Sequence, residues 1–233
     1  MALRTARAMN GYDLLKVIAL VAMTVDHVGL FLWPELVWPR VVGRVAAPLF
    51  LFLVGYNGSY GFRMPLLLAA CAVTLADGVI AGAWYPQNIL WTILVGRFVL
   101  QWLDRRAQPL LAVLLLCVLW TVPLMPLLDY SAIGVLWMVA GRALRRGAPP
   151  WQAWTYGAVA FTGTAIYTML FFAWPMPAYI VAILLCGAMW LGCWRMDLLA
   201  PVRAPKLLHC WAQHALAYYI LHRLVLELVA RFS

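Results

Sequence analysis

Two residues on one helix face could do chemistry together. The segment Asp13-Leu-Leu-Lys16-Val-Ile-Ala-Leu-Val-Ala-Met-Thr-Val-Asp26-His27 is apolar apart from these charges. Lys16 and His27 are eleven positions apart, close to three whole turns, so they share a face and lie about 16 Å apart along the axis. An imidazole takes up a proton near neutral pH, which makes His27 a candidate general base. A cation further down the same face could hold the phosphates of a long donor. The competing reading is a core histidine hydrogen-bonded beside a buried Asp26, with Lys16 snorkelling to an interface.

A second stripe lies near the C-terminus, where His214, Tyr218 and His222 follow i, i+4, i+8 and would share a face. They could give a cavity a hydroxyl and an imidazole, or form interhelical hydrogen bonds worth under ~2 kcal/mol each. Arg44, in Gly43-Arg44-Val-Ala-Ala-Pro48, could bind a phosphate, a carboxylate or Asp26, or reach outward from an interface. Asp77 could be a pathway residue or the counter-ion of Arg44. Asn88 and Thr92, one turn apart, could cap a helix or line a cavity. Arg97 and Glu227 also fall inside apolar stretches.

The elements that must position these groups are membrane helices. Hydrophobic types make up 66% of the 233 residues and charged types 11%, which excludes a water-soluble enzyme, a disordered tail and a nucleic-acid-binding module. A β-barrel would alternate apolar and polar residues, whereas these apolar runs are continuous. The expected fold is all-α, a single polytopic membrane helix bundle over residues 1–233. Its length fits about nine transmembrane helices, with eight to ten compatible. Breaks at Pro, Gly and charges put the spans at 13–33, 41–60, 65–83, 88–103, 108–125, 129–144, 152–172, 176–194 and 207–231. Arg4 and Arg7 precede the first span, which reads as uncleaved.

Inner loops would carry Arg63, Arg105, Arg106, Arg142, Arg145, Arg146, Arg195, Arg203 and Lys206, while the outer loops hold only Arg40, so the N-terminus is expected in the cytoplasm. The net charge of +9 then reflects basic loops facing anionic membrane lipid rather than nucleic acid. Cys71, Cys117, Cys186, Cys193 and Cys210 have no metal or disulfide spacing. No nucleotide-hydrolysis loop, nucleophile elbow or zinc-protease motif is present. No metal is expected.

Several blocks together resemble the TraX family, membrane-bound acetylases of conjugative pilins, within the wider group of transmembrane acyltransferases. They are Asp13-x-x-Lys16-x10-His27, Gly43-Arg44-x-Ala46-x-Pro48-x-Phe50, Asn88-Ile-Leu-x-Thr92-x-x-x-Gly96, Asp129-Tyr130-x-x-x-Gly134-Val135-Leu136 and Tyr218-Tyr219-x-x-His222. The wider group shows an arginine where Lys16 stands; a lysine would meet phosphate as a point charge.

The resemblance implies transfer of an acetyl group from cytoplasmic acetyl-CoA to the amino terminus of a pilin subunit in the bacterial inner membrane. His27 matches the proposed catalytic histidine. Asp26 would orient it, and Tyr218 and His222 would complete the pocket. Lys16 and Arg44 would hold the CoA phosphates or thioester end, and Asn88 could polarise the acetyl carbonyl. A homodimer is compatible with this reading. The residues alone leave open a different acceptor or maturation step, a non-enzymatic assembly partner, and a proton-coupled transporter using Asp26, His27 and Asp77.

Overall fold

A computed structural model describes residues 9–80, 82, 84–105, 110–195 and 198–232; Arg4, Arg7 and Arg106 lie outside them. Those residues form eleven helices and two isolated bridges, with no named strand. In chain order they are α1 (Gly11–Phe31), α2 (Val37–Gly43), α3 (Ala46–Asn57), α4 (Met64–Ile80), α5 (Ile89–Arg105) and α6 (Leu110–Leu124). Then come α7 (Ser131–Arg145), α8 (Pro150–Phe171), α9 (Met176–Arg195), α10 (Lys206–Gln213) and α11 (Ala215–Phe232). Three segments, Gly11–Phe31, Val37–Asn57 and Met176–Arg195, are long and apolar enough to cross a membrane. The shorter α4 and α6 are also apolar. Leu111, Leu115, Leu119 and Val122 of α6 face outward and form a surface that a bilayer would cover.

The expected helices at 41–60 and 207–231 are each interrupted. In the first, Pro48 has no N–H to offer the Arg44 carbonyl four residues back, so the ladder lapses between α2 and α3. Cys186 Sγ approaches that carbonyl at 3.8 Å instead. In the second, the imidazole Nδ1 of His214 lies 2.9 Å from the Cys210 carbonyl and competes for it where α10 gives way to α11. The expected start at residue 129 is also displaced. Tyr130 and Ser131 have φ of 59° and 47°, and α7 begins only at Ser131.

α7 is the pillar of the fold. All its residues except Arg142, Leu144 and Arg145 are buried, and it packs on α3, α5, α6 and α8. Its crossing with α3 brings the two backbones together. A Cβ on Gly55 would stand 1.8 Å from the Met138 carbonyl oxygen, and one on Gly141 would stand 2.1 Å from that of Phe52.

Two bridges place the ends of the functional helices. Asn10, whose side chain caps α1 by accepting from Asp13 N at 3.0 Å, pairs with Pro201. Gln87 pairs with Leu128, with Gln87 N donating to Leu127 O at 2.8 Å and Asp129 N to Gln87 O at 2.9 Å. Asn88 and Asp129 are thereby set side by side.

The α3–α7 contact sets a stability test. Gly141→Val forces a side chain against the Phe52 carbonyl. We expect a loss beyond the ~1–3 kcal/mol typical of overpacked interiors, read as a lower thermal midpoint in detergent. Gly192→Ala, whose Cβ meets nothing within 4 Å, should leave the midpoint unchanged. Equal midpoints would refute the close crossing.

Candidate active site

A cavity of about 890 Å³ lies among α1, α3, α4, α5 and α11, lined by Lys16, His27, Arg44, Asp77, Asn88 and Arg97 among others. Its volume falls within the ~300–1,000 Å³ of small-molecule sites. Because α1 runs unbroken from Gly11 to Phe31, Lys16 and His27 do share a face and both line this cavity.

His27 is positioned by α11. Its Nδ1 lies 2.7 Å from Nε2 of His222, with the two rings stacked 4.9 Å apart and 8° from parallel. His222 Nδ1 lies 2.8 Å from the Tyr218 carbonyl oxygen, which can only accept. The hydrogen-bond pattern therefore assigns the protons along the chain. His222 carries its proton on Nδ1, its Nε2 accepts from His27 Nδ1, and a neutral His27 keeps its Nε2 lone pair available.

Thr24 extends the arrangement by donating its hydroxyl to Leu20 O at 2.8 Å. The Tyr218 hydroxyl, 2.8 Å away, then donates to Thr24 Oγ1. Tyr218 also stacks on His222. It braces the histidine and is not among the described residues that line the cavity.

Asp26 faces elsewhere. Arg40 Nη1 donates to its Oδ2 at 2.7 Å, and Arg44 Nη2 reaches Oδ1 and Oδ2 at 2.8 and 3.0 Å. Both guanidinium groups lie over the Phe172 ring. A Cβ on Gly43 would fall 2.2 Å from the Asp26 Cβ, so only glycine lets α2 sit this close. The expected role of Asp26 as orienter of His27 is corrected, since that position belongs to His222. Arg44 Nε is buried without a hydrogen-bond partner among the described residues.

Other expectations change partner. Asp77 does not pair with Arg44; it accepts from Arg223 at 2.8 Å, and Arg223 also bonds Glu227 at 2.9 Å. Asn88 lines the cavity, but its amide is engaged. Its Nδ2 donates to Ala70 O and Thr74 Oγ1 at 3.1 and 3.0 Å, and its Oδ1 accepts from Leu90 N at 3.1 Å. Thr92 donates to the Asp129 carbonyl. Lys16 lies 3.8 Å from Asp13 and over the Tyr12 ring. His214 is exposed at the α10–α11 break, so the three-residue stripe reduces to Tyr218 and His222.

Sequence reasoning assigned no role to Arg40, Arg223, Asp129 or Tyr130, all of which line the cavity. The Arg223–Glu227 pair was visible as an i, i+4 spacing. Arg40, read as an outer-loop residue, is part of α2.

Fold and site define an all-helical membrane protein whose interior carries a histidine pair and two buried ion clusters. The chain belongs to the TraX family: the family model described as TraX protein matches residues 11–230. An uncharacterized protein of Rickettsia prowazekii (strain Madrid E) is 29% identical over 137 residues, covering 57% of this chain and 55% of that protein. The protein TraX of Escherichia coli is 34% identical over 119 residues, 46% of each chain. The chain spans about half the length of the curated relatives it matches. No solved structure matches it.

The Asp26 cluster generates a second test. Asp26→Asn leaves the buried Arg44 and the part-buried Arg40 without their counter-charge, and breaking a buried pair costs about 3–5 kcal/mol. We expect a marked fall in thermal midpoint in detergent. A midpoint like that of the wild type would show that water, not Asp26, balances the arginines.

Proposed function

We propose that this protein is an inner-membrane acetyltransferase that moves an acetyl group from cytoplasmic acetyl-CoA to the N-terminal amine of a conjugative pilin subunit. Membership of the TraX family supports the acceptor. The observation that carries the chemistry is the His27–His222 pair, which leaves His27 Nε2 as an unprotonated base on the cavity wall.

The amine nitrogen attacks the thioester carbonyl carbon. Its proton passes to His27 Nε2, the C–S bond breaks, and the proton is returned to the departing thiolate. His27 is thus base and then acid, with His222 and Tyr218 holding its ring. The developing oxyanion needs a donor in place beforehand. Arg44 lines the cavity, and two arginines on one carboxylate leave net positive charge nearby. Lys16 faces the donor's phosphates, and Asn88 shapes the wall. An apolar surround excludes the water that would hydrolyse the thioester.

Calorimetry with acetyl-CoA and a pilin N-terminal peptide tests the reading. His27→Ala should retain donor binding and lower kcat by about 10²–10⁴-fold. His222→Ala should lower kcat less. Absence of acetyl-CoA binding at high micromolar donor would overturn the reading and favour proton-coupled transport.

The basic segments support nine crossings with the N-terminus inside, the breaks in α2–α3 and α10–α11 lying within single crossings. A periplasm-active phosphatase fused after Ser233 should then be active, and one fused after Arg146 silent. The reverse pattern would invert the orientation.

A further inference from the structure

The cavity is polarised. At the His27 end, each arginine has an acid: Arg40 and Arg44 share Asp26, and Arg223 lies between Asp77 and Glu227. Arg97 differs. It is 5% exposed, and its Nε donates to the Gly61 carbonyl at 2.9 Å, which fixes the guanidinium at the cavity wall. Among the described residues it has no carboxylate within ion-pair distance. Arg63, on the segment between α3 and α4, also lines the cavity without an acidic partner among the described residues. Lys16, with Asp13 beside it, adds a third cation to the lining.

Burying a guanidinium without an anion is costly, and Arg63, two residues from the Gly61 that holds Arg97, adds positive charge to the same lining. Such an arrangement is stable when an anion arrives to share both. A guanidinium fork matches phosphate oxygens in geometry as well as charge. Arg44, the residue expected to hold phosphate, is already engaged by Asp26.

We propose that Arg97 and Arg63, together with Lys16, form the phosphate-binding pole of the cavity and seat the nucleotide phosphates of the acyl donor. This rests on the acetyl-CoA reading. It places the phosphates near Lys16, about 16 Å along α1 from His27, so that the donor's long flexible arm spans the cavity and delivers the thioester to the base.

The probe is 3′,5′-ADP, with acetyl-pantetheine as the phosphate-free control, measured on the full chain in lipid nanodiscs. Arg97→Gln and Arg63→Gln should each weaken 3′,5′-ADP binding about tenfold or more. Arg97→Lys should lose less, and acetyl-pantetheine binding should not change in any of the three. Arg63 is exposed, so its variant keeps the test alive if Arg97→Gln does not fold.

Unchanged 3′,5′-ADP affinity in both glutamine variants overturns the proposal. Nanodiscs of phosphatidylglycerol instead of phosphatidylcholine separate a lipid phosphate from a soluble one. Displacement of 3′,5′-ADP by the anionic lipid would give the arginines to the membrane and also overturn it. Acetyl transfer that is indifferent to both arginines would sustain the reaction and sink this pole. Arginine-dependent 3′,5′-ADP binding without any transfer would do the reverse.

Discussion

A carboxylate held in an apolar interior must be met by cations, and Asp26 is met by two. Much of the site follows from that requirement. Gly43 has no side chain, so α2 can approach α1 closely enough for Arg40 and Arg44 to reach the carboxylate. The lapse at Pro48 lets the chain turn from α2 into α3 immediately after Arg44 has been delivered. Phe172 covers both guanidinium groups, which draws the end of α8 onto the cluster. The next residue after Asp26 is rotated about 100° around the helix. His27 therefore turns toward α11, while Asp26 keeps the arginines on the adjoining side of the same cavity.

α11 divides its labour in the same way. His222 turns toward His27, while its neighbour Arg223 turns toward Asp77 on α4 and Glu227 one turn on. Two adjacent residues on each of two helices thus separate a neutral hydrogen-bond chain from a charged one. The neutral chain ends on the Tyr218 carbonyl, which sets the tautomer of both imidazoles. A carboxylate in the place of His222 would also orient His27, but it would bring another charge into a site where the ion clusters already use their acids.

The parts of this architecture that depend on local periodicity were legible in the sequence. The shared face of Lys16 and His27 follows from eleven residues of uninterrupted helix, and the apolar stretches mark where helices form. Partner choice was not legible. Asp77 and Arg44 looked complementary, yet Asp77 meets Arg223, 146 positions away in the chain. Arg40 looked like a loop residue because hydropathy rises only after it; its partner Asp26 lies across the turn between α1 and α2. Asn88 carried a motif that suits either a cap or a carbonyl contact, and only its three hydrogen bonds decide for the scaffold. The burial of α7 was hidden because its composition resembles that of a short lipid-facing span, although it meets protein on nearly every side.

His27 and His222 are separated by 195 positions. At synthesis rates of about 5–20 residues per second, roughly 10–40 s pass between their emergence from the ribosome. During that interval His27 has no imidazole to hold its ring, and Asp77 and Glu227 await Arg223. The nascent chain can settle α1 through α9 around α7 while the histidine pair stays unassembled. The last helix thus completes the arrangement, so that a protein stalled or truncated before α11 lacks the imidazole partner of His27 and the cation of Asp77.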